Sequence, residues 1–235
     1  MATLLGLRGA PAAAESIIVE RDIQLAALTG GRLHVAHVST QASVEAIRRG
    51  KARGVRVTAE VTPHHLLLTD QLVKDSEYDT ATRVNPPLRS EADRQALILG
   101  LRDGTLDCIA TDHAPHTVDD KKVEYDAAAP GIVGLETAVA LCLDRLVHSG
   151  LLELEHLVAL LSVNPARVLG LPGGSLKEGA PADVTVLDLG RKRQVDPTRF
   201  ESKGRSTPFA GLLLKGWPVL TVVAGKVVFD RIARK

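Results

Sequence analysis

Aromatic side chains are scarce in this chain: Phe, Tyr and Trp together make up 3% of its 235 residues, and there is one Trp and one Met. The core must therefore be aliphatic, built from Leu, Val, Ile and Ala. Cysteine is nearly absent too. Cys108 and Cys142 both sit in apolar runs, which points to two buried free thiols and a reducing compartment. Charge of one sign is also missing, since 29 Lys and Arg oppose 28 Asp and Glu for a net +1. With no basic block, nothing argues for nucleic acid or an anionic membrane as a partner. No apolar run reaches the 18 or so residues of a membrane span. The opening stretch before Arg8 has only a short greasy segment, too short for the core of a signal peptide. The cytoplasm is the expected location.

What is present is ordinary for a globular chain: 45% apolar and 24% charged residues, in a length that suits one large domain or a medium one with an appendage. Residues 12–29 read as a helix, with Ile17, Ile18, Ile23, Leu25, Ala26 and Leu28 as its apolar face and Gly30-Gly31 as its stop. Strands are expected at 33–38, 55–61 and 107–110. Helices are expected at 42–53, 91–102, 133–149, 153–161 and 164–169, with a helical turn opening at Pro63-His64-His65. Strands alternating with helices imply βαβ units and a parallel sheet. From residue 172 the texture changes to turns and short strands at 184–187, 212–214, 220–223 and 227–229, with Gly225-Lys226 as a tight hairpin. The expected organisation is an α/β body over residues 1–171 and a β-rich segment over 172–235.

Several residues stand where chemistry is plausible. Polar groups just past a buried parallel strand are where α/β barrels and open sheets keep their active sites. His37 lies at the carboxyl end of its strand, where a histidine suits a metal ligand or general base, and equally a hydrogen-bonded core residue. His34, three residues earlier, faces the other side. His64 and His65 follow another strand, and adjacent side chains diverge, so at most one faces a site. Asn85, before Pro86-Pro87, is held in a rigid turn and offers one acceptor and two donors, suited to an amide-like or imide-like ligand as well as to a plain turn. Asp112 follows the apolar run 108–110. A carboxylate there is costly unless paired, hydrogen-bonded or metal-bound. With His113 and His116 it forms a set able to bind a divalent metal and to pass a proton from an activated water. A catalytic zinc normally takes three protein ligands plus water, so this set by itself is incomplete.

Five ordered motifs, His34-Val-Ala-His37-Val-Ser-Thr40, Glu60-Val-Thr-Pro-His-His-Leu66, Asn85-Pro-Pro-Leu-Arg89, Ala110-Thr-Asp-His-Ala-Pro-His116 and Gly131-Ile-Val-Gly-Leu-Glu136, resemble the dihydroorotases of the amidohydrolase superfamily. The tail, with Lys177-Glu-Gly-Ala-Pro-Ala-Asp183 and Gly225-Lys-Val-Val228, is similar to the superfamily's closing β-sandwich. The resemblance implies an α/β fold: the C-terminal part of a (β/α)8 barrel of the TIM type, about strands six to eight, followed by a small β-sandwich segment. It implies His37 as a zinc ligand, Asp112 as zinc ligand and general acid/base, and Asn85, His116 and the Pro130-Gly131 backbone as substrate contacts. His64, His65 and His113 match no ligand position and are expected to be structural. In the family, hydroxide held between two metals attacks the ring amide carbonyl of (S)-dihydroorotate while the aspartate shuttles the proton. The reverse reaction cyclises N-carbamoyl-L-aspartate, a step of pyrimidine biosynthesis leading to UMP.

Two departures qualify the resemblance. Pro130 stands where the family usually has an aromatic residue, which changes loop stiffness. No His-x-His followed by Leu-Arg occurs, and the upstream acidic or lysine bridge and another histidine ligand are missing. The motifs are complete from strand six onward and empty before it, so the expectation is a C-terminal portion, inactive by itself, with apolar edges exposed in isolation. One or two zinc ions belong to the complete family site. A non-catalytic partner scaffolding aspartate carbamoyltransferase and a hydantoinase or allantoinase relative are the rival readings, and a homo-oligomer or an association with aspartate carbamoyltransferase is the expected partnership beside the small-molecule substrate.

Overall fold

The computed structural model of the protein describes residues 1–232, so 233–235 of the expected β-rich segment lie outside the described residues. The chain forms two compact units, one of Met1–Leu135 with Pro197–Pro208 and one of Glu136–Asp196 with Phe209–Lys235.

The first unit opens with α1 (Ala2–Leu5) and α2 (Ala12–Thr29), which ends at Gly30 in the left-handed conformation. There follow β1 (Leu33–Val35), α3 (Gln41–Ala52), β2 (Val57–Val61), α4 (Pro63–Leu67), α5 (Gln71–Asp75), α6 (Glu91–Arg102), β3 (Cys108–Ile109) and α7 (Val118–Lys121). The three strands make one parallel sheet in the order β1-β2-β3, the arrangement that alternating strands and helices require. The helix starts are chemically specified. Thr40 accepts from the Ser43 amide to begin α3, and Ser90 with Asp93 forms a capping box on α6.

Both sequence-derived boundaries and faces need correction. On α2 the buried stripe is Val19, Ile23 and Ala26, whereas Ile17, Ile18, Leu25 and Leu28 are exposed. The six apolar residues expected to form one face cover more arc than a helix can bury, and burial selects positions four and three apart. The first strand stops at Val35 rather than 38 because His37 turns into left-handed backbone with φ 38°. In β2 the alternation is as expected. Val57, Ala59 and Val61 are buried and Thr58 and Glu60 half-buried on the other face. There His34 joins the strands through Nδ1 to Thr58 Oγ1 at 2.8 Å and Nε2 to Glu60 Oε2 at 3.1 Å. Asp107 anchors the start of β3: its carboxylate accepts from Lys51 Nζ and from the Ala59 amide, each at 2.8 Å.

The second unit carries α8 (Ala138–Cys142), continued by a π-helical stretch Leu143–Val147, then α9 (Leu154–Val158), a second π-helical stretch Ala159–Val163, and α10 (Asn164–Leu169). Its sheet is antiparallel, β4 (Val184–Gln194), β5 (Leu213–Val223) and β6 (Lys226–Asp230), in that order. The segments expected as two strands at 212–214 and 220–223 are one. Bulges in the ladder accommodate Gly216 and Pro218 in its middle. The hairpin turn is Ala224-Gly225, both at positive φ, and Lys226 already belongs to β6. Both cysteines are free and buried, and burial pushes the Cys142 thiol up to about 12. Among the described residues no helix is long and apolar enough to cross a membrane.

Gly216 shows how tightly this unit packs. Its φ is +97°, and a Cβ there would lie 2.8 Å from Leu143 Cβ, a fully buried side chain. Gly216→Ala is expected to cost about 2 kcal/mol or more through backbone strain and overpacking. Urea denaturation reads it, and a midpoint equal to that of the unchanged protein would mean that Leu143 yields freely.

Candidate active site

Because β1, β2 and β3 run parallel, the chain leaves all three at one edge of the sheet. His37 follows β1, and the next amide, Val38 N, still donates to Glu60 O at 2.9 Å. Asp112 follows β3, where Ala110 N donates to Val61 O at 3.0 Å. Both residues then take left-handed backbone, His37 at φ 38° and Asp112 at φ 47°. Non-glycine residues rarely adopt this region, and such strain collects at functional sites. Each side chain is half-buried.

The loop after His37 is held by a residue the sequence analysis passed over. Glu15, in the first turn of α2, accepts at Oε1 from the Ser39 amide, the Thr40 amide and the Thr40 hydroxyl, at 3.1, 3.1 and 3.0 Å. It also accepts from Ser43 Oγ at 2.7 Å and from the Ser39 hydroxyl. Arg89 lies close, with Nη2 3.8 Å from the carboxylate, Nε donating to Ser39 Oγ at 3.1 Å and Nη1 donating to Ala10 O at 2.6 Å. One partly buried carboxylate thus fixes the loop after His37, and Arg89 ties it to the turn that carries Asn85. Ser39, Thr40 and Ser43 are all fully buried, and three buried hydroxyls in five residues were the legible sign that an acceptor had to come from elsewhere. Glu15→Ala is expected to lower stability by about 3 kcal/mol, because those donors lose their partner while remaining buried; a loss below about 0.5 kcal/mol would show that water replaces the carboxylate at no cost.

Asn85 and Pro130 line one cavity of about 720 Å³ together with Arg83, Arg89 and Tyr125. His37, Asp112 and His116 are not part of its lining. His116 instead meets the 130–131 loop. Its Nε2 donates to Pro130 O at 3.1 Å, and a Cβ on Gly131 would lie 2.8 Å from that nitrogen and 2.7 Å from Ala114 Cβ. Gly131, at φ +146°, is therefore glycine for want of room. Its amide donates to Arg83 O at 2.9 Å, so the loop is bonded to the Asn85 turn.

The remaining histidines are accounted for by packing. His113 Nδ1 accepts from the amides of Gly134 and Leu135 at 3.1 and 3.4 Å. His65 is buried, with Nε2 donating to Pro86 O at 3.0 Å and Nδ1 accepting from Thr62 Oγ1 at 2.8 Å. His64 stacks obliquely on it, ring centres 4.5 Å apart, and its buried Nε2 has no hydrogen-bond partner. Burial above all, and then the neighbouring His65 and His37, hold His64 well below the usual histidine range. Among the described residues no group of three or more His, Cys, Asp and Glu is placed to hold a metal ion. His37 and Asp112 are a nitrogen and an oxygen donor of the kind zinc takes, two donors where a catalytic zinc site takes three protein ligands.

Residues 12–228 match the sequence profile of the Amidohydrolase family. The chain belongs to the amidohydrolase family. This amidohydrolase chain is 58% identical over its whole length to a protein named Dihydroorotase from Pelotomaculum thermopropionicum, covering 55% of that protein. It is 56% identical to the Dihydroorotase of Desulforapulum autotrophicum over 98% of this chain and 53% of the other. Among solved structures, the L-hydantoinase (dihydropyrimidinase) from Arthrobacter aurescens superposes with a TM-score of 0.88 at 34% identity, over 94% of this chain and 50% of that one. The chain spans about half the length of the curated relatives it matches. The likeness supports the expected mixed α/β amidohydrolase fold.

Burial also lowers the His65 pKa from 6.5 to about 4. The neutral ring is the folded form, so the unfolded chain binds more protons between those values. Stability is fully present above pH 6.5 and falls as the pH drops towards 4, by on the order of 3 kcal/mol from this group. The urea midpoint should decline over that interval, and His65→Gln should flatten the decline; equal slopes in both proteins would remove His65 as the cause.

Proposed function

We propose that this amidohydrolase chain supplies part of the active site of a zinc-dependent dihydroorotase, interconverting dihydroorotate and N-carbamoyl-L-aspartate in pyrimidine biosynthesis in the cytoplasm. The observation that carries the reading is the pair His37 and Asp112, leaving the two outer strands of the parallel sheet, β1 and β3, at the same edge in strained left-handed backbone. The choice of dihydroorotate rests on kinship, since the relatives sharing 58% and 56% of this sequence bear that name. The same kinship supports an architecture in which residues 1–171 form part of a (β/α)8 barrel and 172–235 a β-sandwich segment. The other metal ligands then come from the part of the family's length that this chain does not span.

In this reading His37 and Asp112 hold the metal, one ion or two, which when bound lowers the pKa of a water molecule and polarises a carbonyl. Asp112 takes the proton of the attacking water as the new C–O bond forms. It returns that proton to the ring nitrogen as the C–N bond breaks, and the water's other proton is released as the newly formed carboxyl group ionises. Asn85 offers its amide to the imide edge of the ring. The 130–131 backbone has a narrower role than a generic contact. Pro130 has no N–H and the Gly131 N–H is taken by Arg83 O. Only carbonyl lone pairs remain there, so this loop accepts from the ring N–H groups and donates nothing. His116, held on Pro130 O, keeps that carbonyl in place.

The test joins this chain behind the amino-terminal part of the Pelotomaculum thermopropionicum relative and follows carbamoyl aspartate formation with zinc present. Turnover of dihydroorotate is expected, with Asp112→Asn lowering kcat by about 10³-fold and the 235-residue chain alone giving none. The structural likeness to hydantoinases favours a second reading, a hydantoin-cleaving relative. Faster cleavage of hydantoin than of dihydroorotate would replace the first reading with the second, and full activity in Asp112→Asn would overturn both. Gel filtration of the joined protein, alone and with an aspartate carbamoyltransferase, tests the associations expected from the family.

A further inference from the structure

Lys121 ends α7 and is 7% exposed, yet among the described residues its ammonium group meets no carboxylate. Its Nζ donates to three main-chain carbonyls instead: Ala129 O at 2.9 Å, Gly131 O at 3.0 Å and Arg83 O at 3.5 Å. Those acceptors come from the two segments that flank the cavity, the turn leading to Asn85 and the loop containing Pro130 and Gly131. The same two segments are joined again where Gly131 N donates to Arg83 O and Arg83 Nε donates to Ala128 O at 2.6 Å. The lysine is itself fastened, because Thr80 Oγ1 donates to Lys121 O at 2.6 Å and Ala129 N donates to Asp120 O at 3.1 Å.

A buried cation held only by carbonyls is an expensive way to close a loop, since a neutral donor would satisfy the same acceptors with less desolvation. Burial, reinforced by the Arg83 cation and opposed by Asp79, lowers its pKa to about 8. What the ammonium group provides that a shorter or neutral side chain lacks is three diverging donors from one point. They set the spacing of three carbonyls on two separate segments at once. Gly131 O is one of the lone-pair bearers that the proposed function assigns to the substrate ring.

We infer that Lys121 is a positioning residue for ligand binding: it sets the 128–131 loop against the Asn85 turn, so that the loop's carbonyls and the Asn85 amide engage one ligand. This rests on the proposed dihydroorotase reading for the identity of the ligand, though not for the bracing itself. The acceptor-only loop requires its carbonyls in register before the ligand arrives, because no N–H remains there to compensate a misplacement.

Two readouts test it. Amide hydrogen exchange in the 235-residue chain should quicken by at least about tenfold across residues 128–133 in Lys121→Met. Lys121→Arg, which keeps the charge and several donors, should stay within about threefold of the unchanged protein, and Lys122→Met, altering the exposed neighbour, should change nothing. In the joined protein described above, Lys121→Met should raise KM for dihydroorotate by about tenfold or more with kcat within about threefold. A lysine needed only for folding would lower kcat through loss of active protein and leave KM alone. Unchanged exchange at 128–133 overturns the inference, as does quickened exchange with unchanged KM. Should the unchanged joined protein fail to turn over dihydroorotate, the proposed activity fails and the exchange measurement alone decides the bracing. If Lys121→Met does not fold, Lys121→Gln and Lys121→Arg carry both readouts, with Gln expected to behave as a partial loss.

Discussion

In a parallel sheet every strand delivers its chain to the same edge, and the candidate site depends on that constraint more than on any single contact. The pairing β1-β2-β3 is short, with two or three residues in register on each side, but main-chain bonds continue it to Val38 and Ala110. Each bond stops one or two residues from a functional candidate. Beyond Val35 and Ile109 the ladder gives out as His37 and Asp112 enter left-handed backbone. Pairing thus sets the place of these side chains, and the departure from pairing sets their direction. The general preference of open α/β sheets and barrels for sites at this edge has here a concrete local cause.

What holds the loops beyond that edge is buried charge matched by many weak partners. The Glu15 carboxylate gathers five donors from Ser39, Thr40 and Ser43, and the Lys121 ammonium gathers three carbonyls. Arg89 and Arg83 extend the two clusters to the turn between them. A single polar contact in water contributes about 1 kcal/mol. A desolvated ion with its whole coordination filled resists displacement much more, because removing one partner leaves the charge exposed to a low dielectric. Loops fixed in this way need few apolar contacts.

Much of this was readable in advance, and the reasons differ by feature. The α2 and α6 spans and the β2 alternation follow from local periodicity and capping, so they matched the sequence closely. The strand ends were overestimated because left-handed backbone at His37 carries no sequence mark, histidine being an unlikely residue there. The roles of Glu15 and Lys121 were hidden for another reason. An acid in the first turn of a helix and one of two adjacent lysines look like ordinary solvated charges, and their partners lie 24 to 28 residues away for Glu15 and up to 38 for Lys121. The buried hydroxyls at 39, 40 and 43 announced a missing acceptor without saying where it was. His113, expected to be structural, has its Nδ1 occupied by two amides.

Fold likeness and sequence kinship lead to relatives named for different substrates, and the proposed site bears on the choice between them. The solved L-hydantoinase shares the fold at 34% identity, whereas the relatives at 58% and 56% are named Dihydroorotase. Cyclic amides share a ring carbonyl and a ring N–H, so the fold by itself carries no preference between them. Discrimination must come from the segments that meet the rest of the ring. In the proposed reading those are a turn presenting Asn85 and a loop that can only accept hydrogen bonds, with Arg83 and Arg89 beside the turn in the cavity lining. Dihydroorotate has a six-membered ring where hydantoin has five members, and it bears a carboxylate, an acceptor that an acceptor-only loop repels and a guanidinium attracts. In the proposed reading a ring carrying that carboxylate is oriented by its own charge, N–H groups towards 130–131 and carboxylate away from it. An uncharged ring receives no such instruction from the same walls.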